Sequence, residues 1–261
     1  MIDVSGLTVA RGGRPILETC SFQAERGGVL AILGSNGVGK TTLLDALIGV
    51  LRPSSGSVRL GGPTGFVPQL VEVPFSYSVQ DVVLMGRARQ VGLFGAPKAS
   101  DYAAMRRALS LLDITDLEEQ TFNDLSGGQR QMVMIAQALC SDCEILVLDE
   151  PCAALDYRNQ TVVIDVLQRL SEAHGLTVVF TTHAPQHALA IASHVLLLYD
   201  RVSHDSGATH EVLTEDALSR LYGVPIAKAH FAGNERFTFA LVSEARSEVH
   251  YKVHSKVHGT A

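Results

Sequence analysis

The sequence has no surplus of basic residues. It contains 21 Lys and Arg residues against 27 Asp and Glu residues, which gives a formal net charge of −6. A nucleic-acid-binding domain usually has a cluster of positive charge that meets the phosphates, and no such cluster stands out here. The charges are mixed along the chain, as on an ordinary solvated surface. The composition therefore predicts no nucleic-acid partner.

The sequence also lacks an apolar run long enough to cross a bilayer, which takes roughly 18 to 20 residues in a helix. Its first residues, MIDVSGLTVARGG, include Asp3 and contain no apolar stretch of the length found in a secretory signal. We therefore expect a cytoplasmic protein that serves a membrane only through a partner.

Cysteine is scarce, with four residues in a chain of 261. Cys140 and Cys143 have the spacing of half a zinc site, but no second Cys/His pair follows at the distance found in zinc fingers. The alternative is that the cysteines are ordinary buried thiols, and we favour it.

Apolar residues make up 46% of the chain, enough for a sizeable core in one large domain or two small ones. Four short apolar runs are typical of buried parallel strands, and helical patterns alternate with them: GGVLAILG, EILVLDE, LTVVFTTH and SHVLLLYD. This alternation predicts an α/β fold with a mostly parallel sheet that helices cover on both faces.

Three segments depart from that alternation. IDVSGLTVA and ILETCSFQAE predict an N-terminal subdomain built on a pair of antiparallel strands. Residues from about 70 to 140 have a mainly helical pattern, which predicts a helical subdomain inserted into the α/β core. The last residues repeat Val-His every four positions, so a helix there would place His250, His254 and His258 on one face, where they could bind a metal. We favour the alternative, a frayed, disordered tail from about residue 245.

GSNGVGKTT at residues 34–42 fits the phosphate-binding loop pattern, with an apolar strand before it and a helical pattern after it. Glycines let the backbone amides point inward at an anion. In this pattern Lys40 would meet the β- and γ-phosphates and the Thr41 hydroxyl would bind Mg²⁺. Because both flanks are correct, an incidental glycine-rich turn is the weaker interpretation. The predicted nucleotide-binding residues of the loop are Gly34, Ser35, Asn36, Gly37, Val38, Gly39, Lys40, Thr41 and Thr42.

Two carboxylates end the apolar strand in EILVLDEP, at the end of a strand where α/β proteins bind ligands. Asp149 and Glu150 are adjacent, so strand alternation predicts that they point to opposite sides. We assign Asp149 to Mg²⁺ and Glu150 to the general base that activates the attacking water. His183 closes another core strand, which should end beside the strand that carries Asp149, so that the imidazole could reach the γ-phosphate. A purely structural histidine is the ordinary alternative at such a position.

A second anion-binding pattern occurs at NDLSGGQRQ, residues 123–131. A serine and two glycines lead into the helical pattern QMVMIAQALC, and small residues at a helix N-terminus let its N–H groups and its dipole face an anion. One chain therefore carries two predicted phosphate sites.

Together these motifs resemble the ATP-binding cassette (ABC) ATPases, the nucleotide-binding subunits of ABC transporters. The resemblance runs from about residue 2 to about residue 225 and includes six motifs in the family's order. They are the Walker A motif GSNGVGKT, the Q-loop FVPQ with Gln69, the signature LSGGQ (Leu125, Ser126, Gly127, Gly128 and Gln129), the Walker B motif ILVLDE, the D-loop AALD with Asp156, and the switch histidine His183.

The resemblance implies a P-loop NTPase core that binds ATP and Mg²⁺, with the metal at Thr41, Gln69 and Asp149. It implies that Glu150, His183 and Gln69 form the catalytic set. It also explains the second phosphate site, because in the family two cassettes pack head to tail and the signature of each caps the γ-phosphate held by the other. Such capping suits phosphoryl transfer, whose developing charge must be surrounded. This chain has one cassette, so the resemblance implies a homodimer.

Four positions depart from the family pattern. Arg11 stands where an aromatic residue usually stacks on adenine, and a guanidinium can also stack on a base. Cys152 and Ala153 replace the residues that often follow the Walker B motif. Ala184 replaces an acid that often follows the switch histidine. None of these changes removes an assigned catalytic group.

VQDVVLMGR, GLFG and EVLTEDALSRLYGVPI resemble the importers of iron–siderophore, haem and cobalamin complexes and their molybdate/tungstate branch. This likeness implies a chain on the cytoplasmic face of the inner membrane, bound to two permease subunits and served indirectly by a substrate-binding protein. The expected ABC ATPase domain spans residues 1–225, followed by a C-terminal extension at 226–261. The alternatives are an exporter ATPase subunit and a soluble ABC ATPase without a membrane partner.

Overall fold

A computed structural model of the protein describes residues 1–69, 76–92, 95–231 and 237–242. The predicted tail with His250, His254 and His258 lies outside these ranges, and so do parts of the predicted helical subdomain. Among the residues that are described, no helix is both long and apolar enough to cross a bilayer.

Strands predominate up to residue 67, and helices predominate between residues 79 and 139. The strands within the described ranges are β1 (Ile2–Arg11), β2 (Arg14–Ala24), β3 (Val29–Gly34), β4 (Ser55–Leu60), β5 (Thr64–Val67), β6 (Ile145–Leu148), β7 (Thr177–Thr182), β8 (His194–Leu198), β9 (His204–Ala208), β10 (Ile226–His230) and β11 (Phe237–Leu241). The α-helices there are α1 (Lys40–Leu47), α2 (Val79–Leu84), α3 (Ala88–Val91), α4 (Ala99–Leu111), α5 (Gly127–Leu139), α6 (Tyr157–His174), α7 (Pro185–Ile191), α8 (Thr209–Val212) and α9 (Glu215–Tyr222).

A six-stranded sheet in the order β5-β6-β7-β3-β8-β9 forms the centre of the fold. Neighbouring strands are parallel except for β8 and β9, which form an antiparallel edge. Every residue of β3, β6 and β7 is buried, which explains why these strands are nearly continuous apolar runs in the sequence. The predicted α/β fold with a mostly parallel sheet is confirmed.

Alternate residues of the central strands enter two separate cores. On one face, Leu30, Ile32, Ile145 and Val147 pack with helix α1 and with the N-terminal antiparallel sheet, whose strand order is β2-β1-β4. The predicted N-terminal antiparallel pair is therefore confirmed, with β4 as a third strand. Because successive side chains of a strand point to opposite faces of the sheet, the remaining residues of these strands point to the other face.

On the other face, Ala31, Leu33, Leu146 and Leu148 pack against apolar side chains of α4, α5, α6 and α9. Helices α2 to α5 lie in the chain between β5 and β6, where the sequence predicts the helical insertion. Helices therefore cover both faces of the sheet, as predicted.

Strands β9, β10 and β11 were not predicted. The sequence of β9, HDSGA, is polar and lacks apolar alternation, and it is a strand because its backbone pairs with β8 at the sheet edge. β10 and β11 pair with each other in an antiparallel sheet of their own. The domain limits at residues 225 and 226 stay a prediction.

All four cysteines are buried and none is in a disulfide. Burial raises the pKa of Cys20 and Cys152 to about 12 and that of Cys140 to about 11, and it also raises the pKa of Cys143. A thiol with a raised pKa stays protonated at neutral pH and reacts poorly. The prediction of ordinary buried thiols is confirmed.

Candidate active site

Three strands of the central sheet end beside one another. β7 pairs in parallel with β6 on one side and with β3 on the other. Because parallel strands end at the same edge, the residues that follow them meet there. The prediction that the strand before His183 ends beside the strand before Asp149 is confirmed.

The loop between β3 and α1 depends on glycine at two positions. A Cβ atom on Gly34 would lie 2.7 Å from Val38 Cγ1 and 3.0 Å from the carbonyl oxygen of Leu198. Gly39, immediately before α1, has φ 116°, and a Cβ atom there would lie 2.8 Å from Ile16 Cγ2. Side chains at these positions would push the backbone out of its compact path, so the loop can close only with glycine.

The Lys40 side chain is only 6% exposed and lies across the loop that precedes it. Its Nζ donates to the carbonyl oxygens of Gly34 at 2.9 Å and Ser35 at 3.2 Å. The same Nζ lies 3.1 Å from Glu150 Oε1. Pairing with a carboxylate allows an ammonium group to be buried. The loop thus holds a positive charge suited to a phosphate.

Two threonine hydroxyls fix the Asp149 carboxylate. Thr41 Oγ1 donates to Asp149 Oδ2 at 2.7 Å, and Thr181 Oγ1 donates to Asp149 Oδ1 at 2.7 Å. The Asp149 N–H donates to the carbonyl oxygen of Val67 at the end of β5, at 2.9 Å. Hydroxyl and carboxylate oxygens are ligands that Mg²⁺ prefers, so Thr41 and Asp149 form a suitable oxygen pair.

The backbone turns sharply at Glu150, which has φ 45°. Its N–H donates to Thr181 Oγ1 at 2.8 Å. Strand alternation does not hold here, because β6 ends at Leu148 and Glu150 is in the left-handed region. The expectation of opposite sides is therefore wrong: Asp149 contacts Thr41 and Glu150 contacts Lys40, neighbouring residues of α1.

His183 lies at the other side of Glu150. Its Nδ1 is 3.5 Å from Glu150 Oε2, and its side chain is 54% exposed while that of Glu150 is 15% exposed. The Tyr222 hydroxyl, at the end of α9, donates to the His183 carbonyl oxygen at 2.8 Å. Glu150 thus has one carboxylate oxygen at Lys40 and the other at the histidine.

A cleft of about 440 Å³ opens over Lys40, Thr41 and Glu150, and its described lining includes neither Asp149 nor His183. Both Gln69 and Arg11 lie in its wall, and the Arg11 guanidinium is 3.4 Å from Asp45 Oδ2. The residues that line the cleft are Arg11, Ile16, Asn36, Gly37, Gly39, Lys40, Thr41, Thr42, Gln69 and Glu150. The other predicted loop residues, Gly34, Ser35 and Val38, form the remainder of the same loop.

The second predicted phosphate site lies at the N-terminus of α5. Ser126 is exposed and caps the helix: its hydroxyl accepts from the Gln129 N–H at 3.3 Å, and Gln129 Oε1 accepts from the Ser126 N–H at 2.9 Å. Leu125 is buried beneath it. Among the described residues that line the cleft, none belongs to the signature Leu125–Gln129.

Asn159 connects the signature to the D-loop. A Cβ atom on Gly128 would lie 2.5 Å from Asn159 Oδ1, so only glycine fits against it. The N–H of Asn159 donates to Asp156 Oδ1 at 2.8 Å, and this contact caps α6. The two motifs are therefore held together on one surface, although neither lines the cleft of its own chain.

Comparison with known proteins decides the family. The sequence profile described as "ABC transporter" matches residues 17–153. The chain belongs to the ABC transporter family. It is an ATP-binding subunit of that family and an ATPase, and its fold is the family's P-loop NTPase core.

Individual relatives give the same result. The molybdate import ATP-binding protein MolC of Haemophilus influenzae is 42% identical over 85% of this chain and 87% of its own length. A probable iron chelatin transport ATP-binding protein of Helicobacter pylori is 33% identical over 92% of this chain and 100% of its own. A solved structure, an inward-facing metal-chelate type ABC transporter, has 39% identity and a TM-score of 0.88 over 93% of this chain and 98% of the other.

Sequence analysis did not single out Thr181, although this ABC ATPase uses its hydroxyl to connect Asp149 with the backbone of Glu150. The available signal was weak: a threonine pair closes an otherwise apolar strand, and a buried hydroxyl needs a partner. Identifying that partner requires knowing which side chains of distant segments face each other. Asp45, the partner of Arg11, was missed for the same reason.

Replacing Thr181 with valine should slow ATP hydrolysis about tenfold and destabilise the fold. The shape is retained, but Asp149 loses a donor and the Glu150 N–H loses its acceptor. An unpaired buried polar group costs about 1–3 kcal/mol of unfolding free energy, and about 1.4 kcal/mol in the transition state is tenfold in rate. Phosphate release and denaturant unfolding measure the two effects.

Thr177→Val is the matched control, because it makes the same change at the opposite end of β7. Thr177 Oγ1 accepts from the Gly27 N–H at 3.0 Å, far from the cleft. This variant should lose stability but keep its kcat. Equal kcat values for the two variants would show that Thr181 contributes only to stability.

Proposed function

We propose that this ABC ATPase hydrolyses ATP as one half of a head-to-tail homodimer, and that hydrolysis drives import through a separate permease. The observation that carries this proposal is the set of contacts that joins Thr41 to Asp149 and Lys40 to Glu150 and His183. These residues follow three neighbouring strands of the sheet, and Thr41, Lys40 and Glu150 among them line the cleft.

The residues around Thr41 suit Mg²⁺. We assign the metal to the Thr41 hydroxyl, the Asp149 carboxylate and Gln69, whose amide carbonyl offers a further oxygen. Oxygen ligands of this kind are the ones that Mg²⁺ takes beside nucleotide phosphates. When bound, Mg²⁺ neutralises charge that develops on the β- and γ-phosphates. Thr181 keeps Asp149 oriented toward Thr41, with its hydroxyl 2.7 Å from the second carboxylate oxygen.

We assign the hydrolytic step to Glu150, with Lys40 and His183 beside it. Lys40 meets the β- and γ-phosphates, and the amides of Gly34–Thr42 surround them. Glu150 accepts a proton from the attacking water as general base. His183 lies 3.5 Å from Glu150 Oε2 and orients this carboxylate and the water, while Gln69 senses the water from the cleft wall.

The signature supports the homodimer. The capped N-terminus of α5 is suited to an anion and is formed by Ser126, Gly127 and Gly128. None of these three is among the described residues that line the cleft of the same chain. A second copy related by a two-fold axis would bring this surface to the partner's cleft and take the partner's signature in return. Leu125, Gln129 and Asp156 form the rest of that interface in our assignment.

Arg11 is assigned to the adenine base. It lines the cleft beside the phosphate loop, at the position where the family usually has an aromatic residue. Its planar guanidinium can stack on a base. The ion pair with Asp45 at 3.4 Å holds that plane at the cleft wall.

The names of the relatives support import of an oxyanion or a metal chelate. One relative is named for import of molybdate, and others are named for transport of iron chelatin, transport of manganese and import of cobalamin. We place this ABC ATPase on the cytoplasmic face of the inner membrane, bound to two permease subunits, with a substrate-binding protein delivering the cargo. We place its ABC domain at residues 1–225 and the extension at 226–261.

Purification with the permease tests this function. We expect the complex, in proteoliposomes with its substrate-binding protein, to hydrolyse ATP several-fold faster when cargo is supplied. Molybdate and tungstate form one arm, and ferric siderophore, haem and cobalamin form the other. Stimulation in either arm names the cargo class. The import function would be contradicted if the chain never binds the permease and shows full ATPase activity on its own.

A further inference from the structure

A second cavity lies next to the catalytic cleft. It has a volume of about 410 Å³ and is bordered by the D-loop, the end of β7 and the start of α7. Glu150 and His183 line it, and so do two polar side chains without an assigned role, Gln160 of α6 and His187 of α7. His187 is 8% exposed.

Hydrogen bonds join the D-loop to the His183 loop through these two side chains. Gln160 Nε2 donates to the carbonyl oxygens of Cys152 at 3.3 Å and Leu155 at 3.0 Å. Gln160 Oε1 is 3.3 Å from His187 Nε2, and His187 Nδ1 is 3.1 Å from Thr182 Oγ1. Thr182 Oγ1 then accepts from the N–H of Ala184, the residue after His183, at 3.1 Å.

The hydrogen-bond partners in this series of contacts determine which atom carries each proton. The two D-loop carbonyls can only accept, so the Gln160 amide nitrogen faces them and its oxygen faces His187. His187 Nε2 therefore carries the proton and Nδ1 accepts from the Thr182 hydroxyl. Burial lowers the pKa of His187, and nearby His183 lowers it further, so the required neutral ring is the stable form at neutral pH. The titratable groups that share the cavity with it are Glu150, Cys152, Asp156, Tyr157 and His183.

The position of His183 depends on such backbone anchors. Its side chain is 54% exposed and its Nδ1 is 3.5 Å from Glu150 Oε2, so little packing fixes the ring. Its loop is held by the Tyr222 hydroxyl at the His183 carbonyl and by the Thr182 hydroxyl at the Ala184 N–H. A shift of a loop by about 1 Å is enough to lower a catalytic rate greatly.

We propose that Gln160 and His187 are positioning residues for ATP hydrolysis, which set His183 against Glu150 by tying its loop to the D-loop and to Cys152 immediately before it. The proposal rests on the proposed catalytic roles of Glu150 and His183. It also couples the two loops: a partner chain that moves the D-loop moves His183 through the same hydrogen bonds.

Gln160→Met tests the connection, because it keeps the length of the side chain and removes its polar atoms. We expect the kcat of the full chain with MgATP to fall about tenfold, because the variant loses the hydrogen bonds that hold the His183 loop and their net free energy corresponds to about that factor in rate. The KM for ATP should change less than twofold, because the described residues lining the nucleotide cleft include neither Gln160 nor His187. Gln160→Glu should behave alike, since a carboxylate cannot donate to the D-loop carbonyls.

Gln168→Met is the matched control on the same helix. Gln168 Nε2 donates to Glu172 Oε1 at 2.8 Å, away from the cavity. This variant should keep the wild-type kcat and KM. Thermal unfolding of all variants shows whether they are folded at the assay temperature.

A double-mutant cycle with His183→Ala separates positioning from mere stability. If Gln160 acts through His183, adding Gln160→Met to His183→Ala should cause no further loss of kcat. A further tenfold loss in that background, or a wild-type kcat for folded Gln160→Met, overturns the proposal. If Glu150→Gln and His183→Ala themselves keep wild-type turnover, the proposed catalytic function fails instead, and the two failures are thus distinguishable.

Discussion

Replacing Glu150 with glutamine should abolish ATP turnover while ATP binding is retained. The substitution keeps the shape of a side chain that is 15% exposed and lies between Lys40 and His183. It removes the only property that a general base needs, a basic carboxylate, and general-base catalysis contributes about 10²–10⁴ in rate. It also removes a competitor for Lys40, whose ammonium lies 3.1 Å from the Glu150 carboxylate, so the affinity for ATP should not fall.

Three measurements check this expectation. Phosphate release should drop by at least about a hundredfold. Equilibrium binding of ATP should be as tight as in the wild type or tighter. Size-exclusion chromatography with ATP should show a persistent dimer, because nucleotide that is bound and never cleaved keeps the two chains together.

Glu172→Gln is the control for the Glu150 experiment. Glu172 is an exposed residue of α6 and contacts Gln168, so neutralising it should leave turnover unchanged. Wild-type hydrolysis by the Glu150→Gln protein would remove Glu150 from the role of base. His183 and Gln69 would then be the remaining candidates among the predicted catalytic residues.

Much of the site is predictable because its chemistry is local in sequence. Gly34, Gly39 and Lys40 belong to one short loop, and the steric demands that require glycine there act over a few residues. The pair of Asp149 and Glu150 is predictable from a strand that ends in two acids. The side on which they lie is not, because Glu150 leaves the strand with a left-handed backbone.

Contacts between distant segments are the part that sequence reasoning does not reach. Thr181 lies 32 residues from Asp149, and Gln160 lies 27 residues from His187. The sequence predicts that two of these strands end side by side, but it does not show which side chains of neighbouring elements face each other, and the hydrogen bonds depend on that. Strand β9 shows the same limit, since its polar sequence forms a strand only through pairing with β8.

Mixing two inactive variants should restore activity if each site is built from two chains. Ser126→Arg places a bulky cation at the helix N-terminus that should face the partner's γ-phosphate, and Lys40→Ala removes the charge that meets phosphate. In a mixed dimer, Lys40 of the first variant and Ser126 of the second form one intact site. Equimolar mixing makes half of the dimers mixed, each with one of two sites intact, so up to roughly a quarter of the wild-type rate should return.

The control for this mixture is a chain that carries both substitutions. Combined with Ser126→Arg it cannot supply the missing serine, and no activity should return. Ser126→Arg also loses a helix cap worth about 1 kcal/mol, so its unfolding is measured alongside. Folded variants that show no rescue at any protein concentration would mean that the signature of this ABC ATPase does not act on the nucleotide of a second copy. The exposed N-terminus of α5, which the signature forms, would then be available to an anion other than the nucleotide of a second copy.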